Sequence, residues 1–169
     1  YTVTARIFDK DDGYSEYTTS IVVHNVAPTV TAPADQPANE GSSTSFALGS
    51  FSDPGVNDTP WSVDVNWGDG SAHTRFSAAA QGSLASQSHT YADNGSYTVT
   101  VKVTDKDGGF GQATFKANVA NVPPSVTAAA DQTSTEGAST SFNLGSFTDP
   151  GPDAPWAVDV NWGDASAHT

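Results

Sequence analysis

The chain has 169 residues, no Cys, no Met and a formal net charge of −13, from 19 acidic against 6 basic side chains. Missing Cys excludes disulfides, thiolate zinc sites and cysteine nucleophiles, and the acidic balance excludes nucleic acid as a partner, since that needs a basic surface. No apolar run reaches the roughly 18 residues of a membrane-spanning helix. Position 1 is Tyr rather than Met, and a segment of a longer chain is expected. Of the 19 acids, 16 are Asp, a bias that favours turns and hard-cation sites over helices.

The chain repeats itself. "YTVTARIFDKDDGYSEYTTSIVVHNVAPTV" (1–30) aligns without gaps on "YTVTVKVTDKDGGFGQATFKANVANVPPSV" (97–126), 96 positions on. "EGSSTSFALGSFSDPG" (40–55) returns as "EGASTSFNLGSFTDPG" (136–151) at the same offset. "PWSVDVNWGDGSAHT" (60–74) returns as "PWAVDVNWGDASAHT" (155–169), now 95 positions on, because the loop before it is one residue shorter. Self-similarity at this period predicts three pieces: 1–26 as the end of one repeat, 27–121 as a complete repeat, and 122–169 as the start of the next. The junctions "NVAPTV" and "NVPPSV" are short and Pro-containing, which suits a semi-rigid connection.

Within the complete repeat the elements are strands. Phe46, Leu48 and Phe51 supply a first apolar strand or corner. "WSVDVNW" then alternates, with Trp61, Val63, Val65 and Trp67 on one face. "RFSAAAQGSLASQ" (75–87) carries some helix formers, but Gly82 and its serines predict a strand-loop connection. In "YTVTVKV", Tyr97, Val99, Val101 and Val103 share a face; in "ATFKANV", Ala113, Phe115, Ala117 and Val119 do. The turn signals "DPG", "GDG", "DNG" and "DKDGG" separate them. About six to eight short strands of this kind predict an all-β, Ig-like antiparallel sandwich. In the last copy Ala165 replaces the second glycine of "WGDG". A left-handed conformation would cost Ala about 1 kcal/mol, so the substitution predicts a position that does not demand positive φ.

"VNWGDGS" (65–71) followed by "HTYADNGSYTVTVKVTDKDGG" (89–109) resembles the PKD (polycystic kidney disease) domain family, with its W-x-G-D-G signature and later H-x-Y-x-x-x-G-x-Y strand. The likeness covers the complete repeat and both partial ones. The Phe frequent after the family's signature Trp is missing here. The resemblance implies an Ig-like module, extracellular or on the cell surface, used as spacer, adhesion unit or accessory that contacts polysaccharide or protein, and it dictates no reaction.

Candidate sites follow from residue type. His73 and His89 stand among many Asp, but no nucleophile elbow, zinc-binding helix or phosphate loop accompanies them. No enzyme and no required cofactor is expected, and His89 reads as a strand-edge residue. For Ca²⁺ the candidates are Asp105 and Asp107 in "DKDGG", with "DKDDG" (9–13) as its earlier copy, and Asp53 and Asp58 in "SDPGVND". The family resemblance supports the second loop, since some PKD-like modules hold calcium there. An EF-hand is excluded, because the closing acid of its loop would fall on Lys116 or Ser20. The competing reading of these turns is Asp side chains accepting local N–H groups. Asn57 ("NDT") and Asn94 ("NGS") are N-glycosylation acceptors by pattern. Phe76, Tyr91 and Phe110 fall outside the inward alternation and are the candidates for a sugar platform, against a core role. The expected function is a structural or adhesive tandem-repeat module, the unit of a filament or stalk, partnered by neighbouring repeats or copies of itself. The alternative is a polysaccharide- or protein-binding accessory of a secreted hydrolase.

Overall fold

A computed structural model describes all 169 residues, and every regular element in it is a strand. The N-terminal hairpin pairs β1 (Thr2–Phe8) with β2 (Tyr14–Ser20). Then come β3 (Thr29–Thr31), β4 (Gln36–Asn39), β5 (Ser43–Phe46), β6 (Ser50–Ser52) and β7 (Trp61–Asn66). They are followed by β8 (Thr74–Ala78), β9 (Gly82–Ser83), β10 (Gln87–Thr90), β11 (Gly95–Thr104) and β12 (Phe110–Ala120). The C-terminal segment adds β13 (Ser125–Thr127) paired with β14 (Ser146–Thr148).

Residues from β3 to β12 form an Ig-like β-sandwich. One layer is the five-stranded sheet β4-β12-β11-β7-β8; facing it are β3-β6-β9 and the pair β10-β5. Between them lies a single core. Trp61, Val63, Val65 and Trp67 come from β7 and its end, Val99, Val101 and Val103 from β11, and Phe115, Ala117 and Val119 from β12. Phe46, Leu48, Phe51, Leu84 and Tyr91 close it from the other side. Period-2 alternation produces this directly, because successive side chains point to opposite faces and only one face meets the second layer. With no disulfide available, the aromatic residues supply much of the buried area, each removing roughly 150–250 Å² from water.

Three departures from the sequence reading have physical causes. The strands are more numerous than expected because β3, β6 and β9 are fragments of only two or three residues. β4 pairs with β12 in parallel, Gln36 opposite Ala117, so the sheet is not wholly antiparallel. Gln36 secures that entry by exchanging two hydrogen bonds with the Ala47 backbone, both 2.9 Å. And Ala165 does adopt positive φ, 67°, beside 80° for Gly70. The expectation drawn from that substitution was wrong: the turn demands the left-handed region, and Ala tolerates it because the position faces open space. A Cβ built on Gly70 meets nothing within 4 Å, whereas one on Gly68 would lie 2.4 Å from the Thr98 carbonyl oxygen.

Tyr91 is core, not platform. Its hydroxyl donates to the Trp67 carbonyl at 3.0 Å, and its ring meets Phe46 edge-on and stacks on Tyr97. Phe110 is exposed beneath the Lys102 ammonium and Phe76 is half-buried at the sheet edge, so the three rings form no common surface.

Candidate functional site

The signature turn after β7 is built by side chains bonding to nearby backbone. Asn66 Oδ1 accepts from Gly68 N at 2.9 Å, and Asp69 Oδ1 from Ser71 N at 3.0 Å. His89 lies flat on Trp67, centroids 4.5 Å apart, and its Nε2 sits 2.7 Å from Asp69 Oδ2. Burial opposes ionisation of Asp69, but hydrogen bonds from Ser71 and His89 outweigh it and hold the carboxyl below the ordinary range. His89 thus locks the turn onto the core, a firmer role than edge protection. His73 bonds Asp64, which Arg75 also grips. Each histidine thus holds an aspartate of the strand or turn it packs against.

The Asp-rich loops hold the more informative chemistry. Two turns far apart in sequence bring Asp53, Asp58 and Asp105 together, with one oxygen from each lying within 4.8 Å of the others and all three residues buried. Asp107, offered by the same "DKDGG" turn, stays outside, half-exposed and 3.2 Å from Lys106 Nζ. The cluster is already well supplied with donors. Asp53 accepts from Gly55 N (2.8 Å) and from Trp61 Nε1 (2.7 Å). Asp105 accepts from the Asp107 and Gly109 amides and from Asn25 Nδ2 at 2.8 Å, while Lys106 Nζ pairs with Asp58. For Asp105, burial raises its carboxyl and these hydrogen bonds, Asn25 foremost, bring it below the usual range. A cavity of about 470 Å³ opens beside the cluster, reached from Tyr1, Val23 and His24 of the N-terminal segment.

A second cluster joins Glu40 to Asp149 and Asp153, again with one oxygen of each within 4.8 Å. Asp149 and Asp153 are the sequence counterparts of Asp53 and Asp58, and Asn121 is the counterpart of Asn25. Glu40 follows directly on β4, on the other side of the connection from the two aspartates. Burial, and the negative charges of Glu40, Asp149 and Asp93, push the Asp153 carboxyl above its ordinary range. Sequence reasoning passed over Glu40, although the signal was present. It is one of only three Glu among 19 acids and recurs in register as Glu136. Asn57 and Asn94 are both exposed.

A family model for the PKD domain matches residues 25–119, from the connector Asn25 through β12. The chain belongs to the PKD domain family. A solved PKD domain of an M14-like peptidase from Thermoplasmatales archaeon SCGC AB-540-F20 is similar at 23% identity, covering 55% of this chain and 92% of that one, with a TM-score of 0.42. No curated protein matches the chain. The matched PKD region contains the whole first cluster and Glu40, but neither Asp149 nor Asp153.

Proposed function

We propose that this chain is part of a structural array of PKD domains, extracellular or on the cell surface, serving as the shaft of a stalk or filament. The observation that carries the reading is the junction after β12. The sequence that begins the central sandwich starts again within a few residues of its end, and the restarted segment is seated against the sandwich. Glu40 Oε1 accepts the Val122 amide at 2.6 Å, and a Cβ on Gly41 would lie 2.5 Å from Pro150 Cβ. Near-identical domains joined by such contacts each meet the next in the same way, which builds length from one shape. The surface charge of −13 keeps such an array from self-association through apolar collapse. Partners are neighbouring domains of the same kind, in one chain or between copies, with surface polysaccharide or protein at the tip.

Small-angle scattering on polypeptides of two, three and four successive repeats tests this. Maximum dimension growing in equal steps per repeat supports a shaft. Growth closer to the square root of repeat number marks freely jointed beads and removes the stalk reading.

A further inference from the structure

Cations are scarce in this chain, and two of them stand alone. Of its six Lys and Arg, Arg6, Lys10, Arg75 and Lys106 each pair with a carboxylate. Lys102 and Lys116 have none within ion-pair distance, although the chain holds 19 acids. Both lie on the outer face of the five-stranded sheet, because the alternation that buries Val101, Val103, Phe115 and Ala117 turns their neighbours outward. The strands of that sheet carry Arg75, Lys102 and Lys116 but one acid, Asp64, which Arg75 and His73 already hold. Asp35 approaches from the loop before β4, but its Oδ1 accepts the Lys116 backbone amide at 2.7 Å. Lys102 Nζ lies 4.0 Å above the Phe110 ring, which stays 52% exposed. Lys116 is opposite Thr98, four positions from Lys102, so the two cations are about 13 Å apart along the strand. Thr100 and Thr114 face each other between them, and every strand bordering this face is present.

The earlier copy reverses the balance. Arg6 and Tyr14 stand where Lys102 and Phe110 do and keep the cation 5.0 Å over the ring. Glu16, at the place of Gln112, closes on Arg6, and Ser20 replaces Lys116. In the turn, "DKDDG" has Asp12 where "DKDGG" has Gly108. Asp12 is exposed, has no cation within ion-pair distance, and adopts a φ of 64°. An L side chain held in that region at a conformational cost points to a use for its carboxylate.

We propose that the Lys102–Lys116 face of the central sandwich receives the acidic "DKDDG" turn of a second copy of this chain. Charge complementarity carries the choice of partner. Only Glu16 and Asp64 of the 19 acids lie in strands, and the others sit in turns and connections. Those turns gather at the ends of the sandwich, where Asp105 meets Asn25 of the segment before and Glu40 meets Val122 of the segment after. The sheet face is therefore positive and the ends negative, and a neighbour shifted along the axis by part of a repeat brings opposite charges together. A turn delivers its charge as a small packet, Asp11 and Asp12 side by side, onto two ammonium groups set among neutral Thr and Gln. A long polyanion laid on the same face would run on into the acids at both ends. Two exposed ion pairs are weak by themselves and are screened by salt, so the contact gains strength only as it repeats between long molecules. It rests on the array reading for its purpose, joining shafts side by side, but its existence is read from one chain.

The test is a concentration series of the full chain at low ionic strength, followed by amide resonances. Thr100, Lys102, Thr114 and Lys116 report the face, Asp11 and Asp12 the turn, Val126 and Phe147 the apolar cleft of the C-terminal segment, and Val63 and Val65 the core. Shifts growing with concentration are expected at face and turn together, and they should vanish in about 0.5 M salt, where the Debye length falls below about 5 Å. Lys102→Glu with Lys116→Glu in one chain, or Asp11→Lys with Asp12→Lys in another, should each weaken the association about tenfold or more. Mixing those two variants restores opposite charges at both contacts and should restore the shifts. All four positions are on the surface, and unmoved Val63 and Val65 amides confirm that the variants fold. Face amides that stay still, shifts confined to Val126 and Phe147, or a mixture no tighter than its components would each overturn the proposal. So would face shifts that appear only when polygalacturonate is added, which would make the occupant an anionic polysaccharide. Shafts that fail to lengthen stepwise in scattering would remove the stalk and leave this contact standing.

Discussion

Residues 65–74 and 160–169 are the same sequence but for one residue, and they lie in two different surroundings. In the first copy, the strand β7 runs between β8 and β11, and Trp67 and Trp61 are 1% and 2% exposed. In the second, no ladder forms over 156–162, and Trp162 and Trp156 are 46% and 45% exposed. Yet the local geometry is nearly the same. Trp67 Nε1 reaches Thr74 Oγ1 at 3.0 Å and Trp162 Nε1 reaches Thr169 Oγ1 at 3.2 Å. Phe51–Trp61 and Phe147–Trp156 both stand 5.3 Å apart, close to edge-on. His73 and His168 each bond the aspartate nine positions earlier. Local sequence therefore sets the turn and its aromatic pairs, whereas burial and ladder come from a neighbour, in the first copy the long hairpin β11–β12. Beside the second copy the same apolar residues line an open cleft of about 660 Å³.

The largest expected break in this likeness comes from the tryptophans. Trp67→Ala should cost about 3–5 kcal/mol in chemical denaturation, the usual range for emptying a packed aromatic site. Trp162→Ala should change the same transition by less than about 1 kcal/mol, as exposed positions do. Comparable losses would mean that the second copy is packed after all.

The glycines give the next contrast. Gly68→Ala drives a Cβ to 2.4 Å from Thr98 O at a φ of 80°, and a loss of about 2–3 kcal/mol is expected from overlap and strain together. Gly163→Ala meets open space at a φ of 75° and should carry only the conformational term of about 1 kcal/mol. Melting curves of the two variants side by side separate overlap from strain.

Acid sharpens the comparison differently. The carboxyls of Asp69 and Asp105 are depressed in the folded state. Their stabilisation is therefore complete above the unfolded Asp value of about 3.9 and is lost as pH falls through the lower folded values. Urea midpoints measured downward from pH 6 should stay level and then drop below about pH 4. Asp69→Asn should lower the plateau and flatten the drop; an undiminished drop would show that the Asp69–His89 contact contributes nothing to folding.

Much of the sandwich was readable because alternation and burial are the same fact seen twice: one face of β7, β11 and β12 meets the other layer. Tyr91 was not, since it sits at the end of β10 where alternation gives way to the "DNG" turn, and only the fold shows its ring between Phe46 and Tyr97. The aspartates were legible as residue types but not as groups. Asp53 and Asp105 lie 52 positions apart and meet through strand order, while Asp107, nearer in sequence, turns outward. Ala165 misled for a physical reason: sequence shows which residue occupies a turn, while the space above its Cβ decides whether positive φ is tolerable. Gly70→Ala should accordingly cost no more than about 1 kcal/mol, and thermal melting would reveal any larger effect.

Native-state hydrogen exchange on the full chain tests most directly whether the repeated motif is a structural element whose state its neighbour decides. The Val63 and Val65 amides should exchange only through global unfolding. Val158 should exchange near the unprotected rate, and Val160, whose N–H meets only Thr169 O at 3.0 Å, only slightly slower. Equal protection in the two copies would contradict the account, because it would make burial a property of the ten residues themselves.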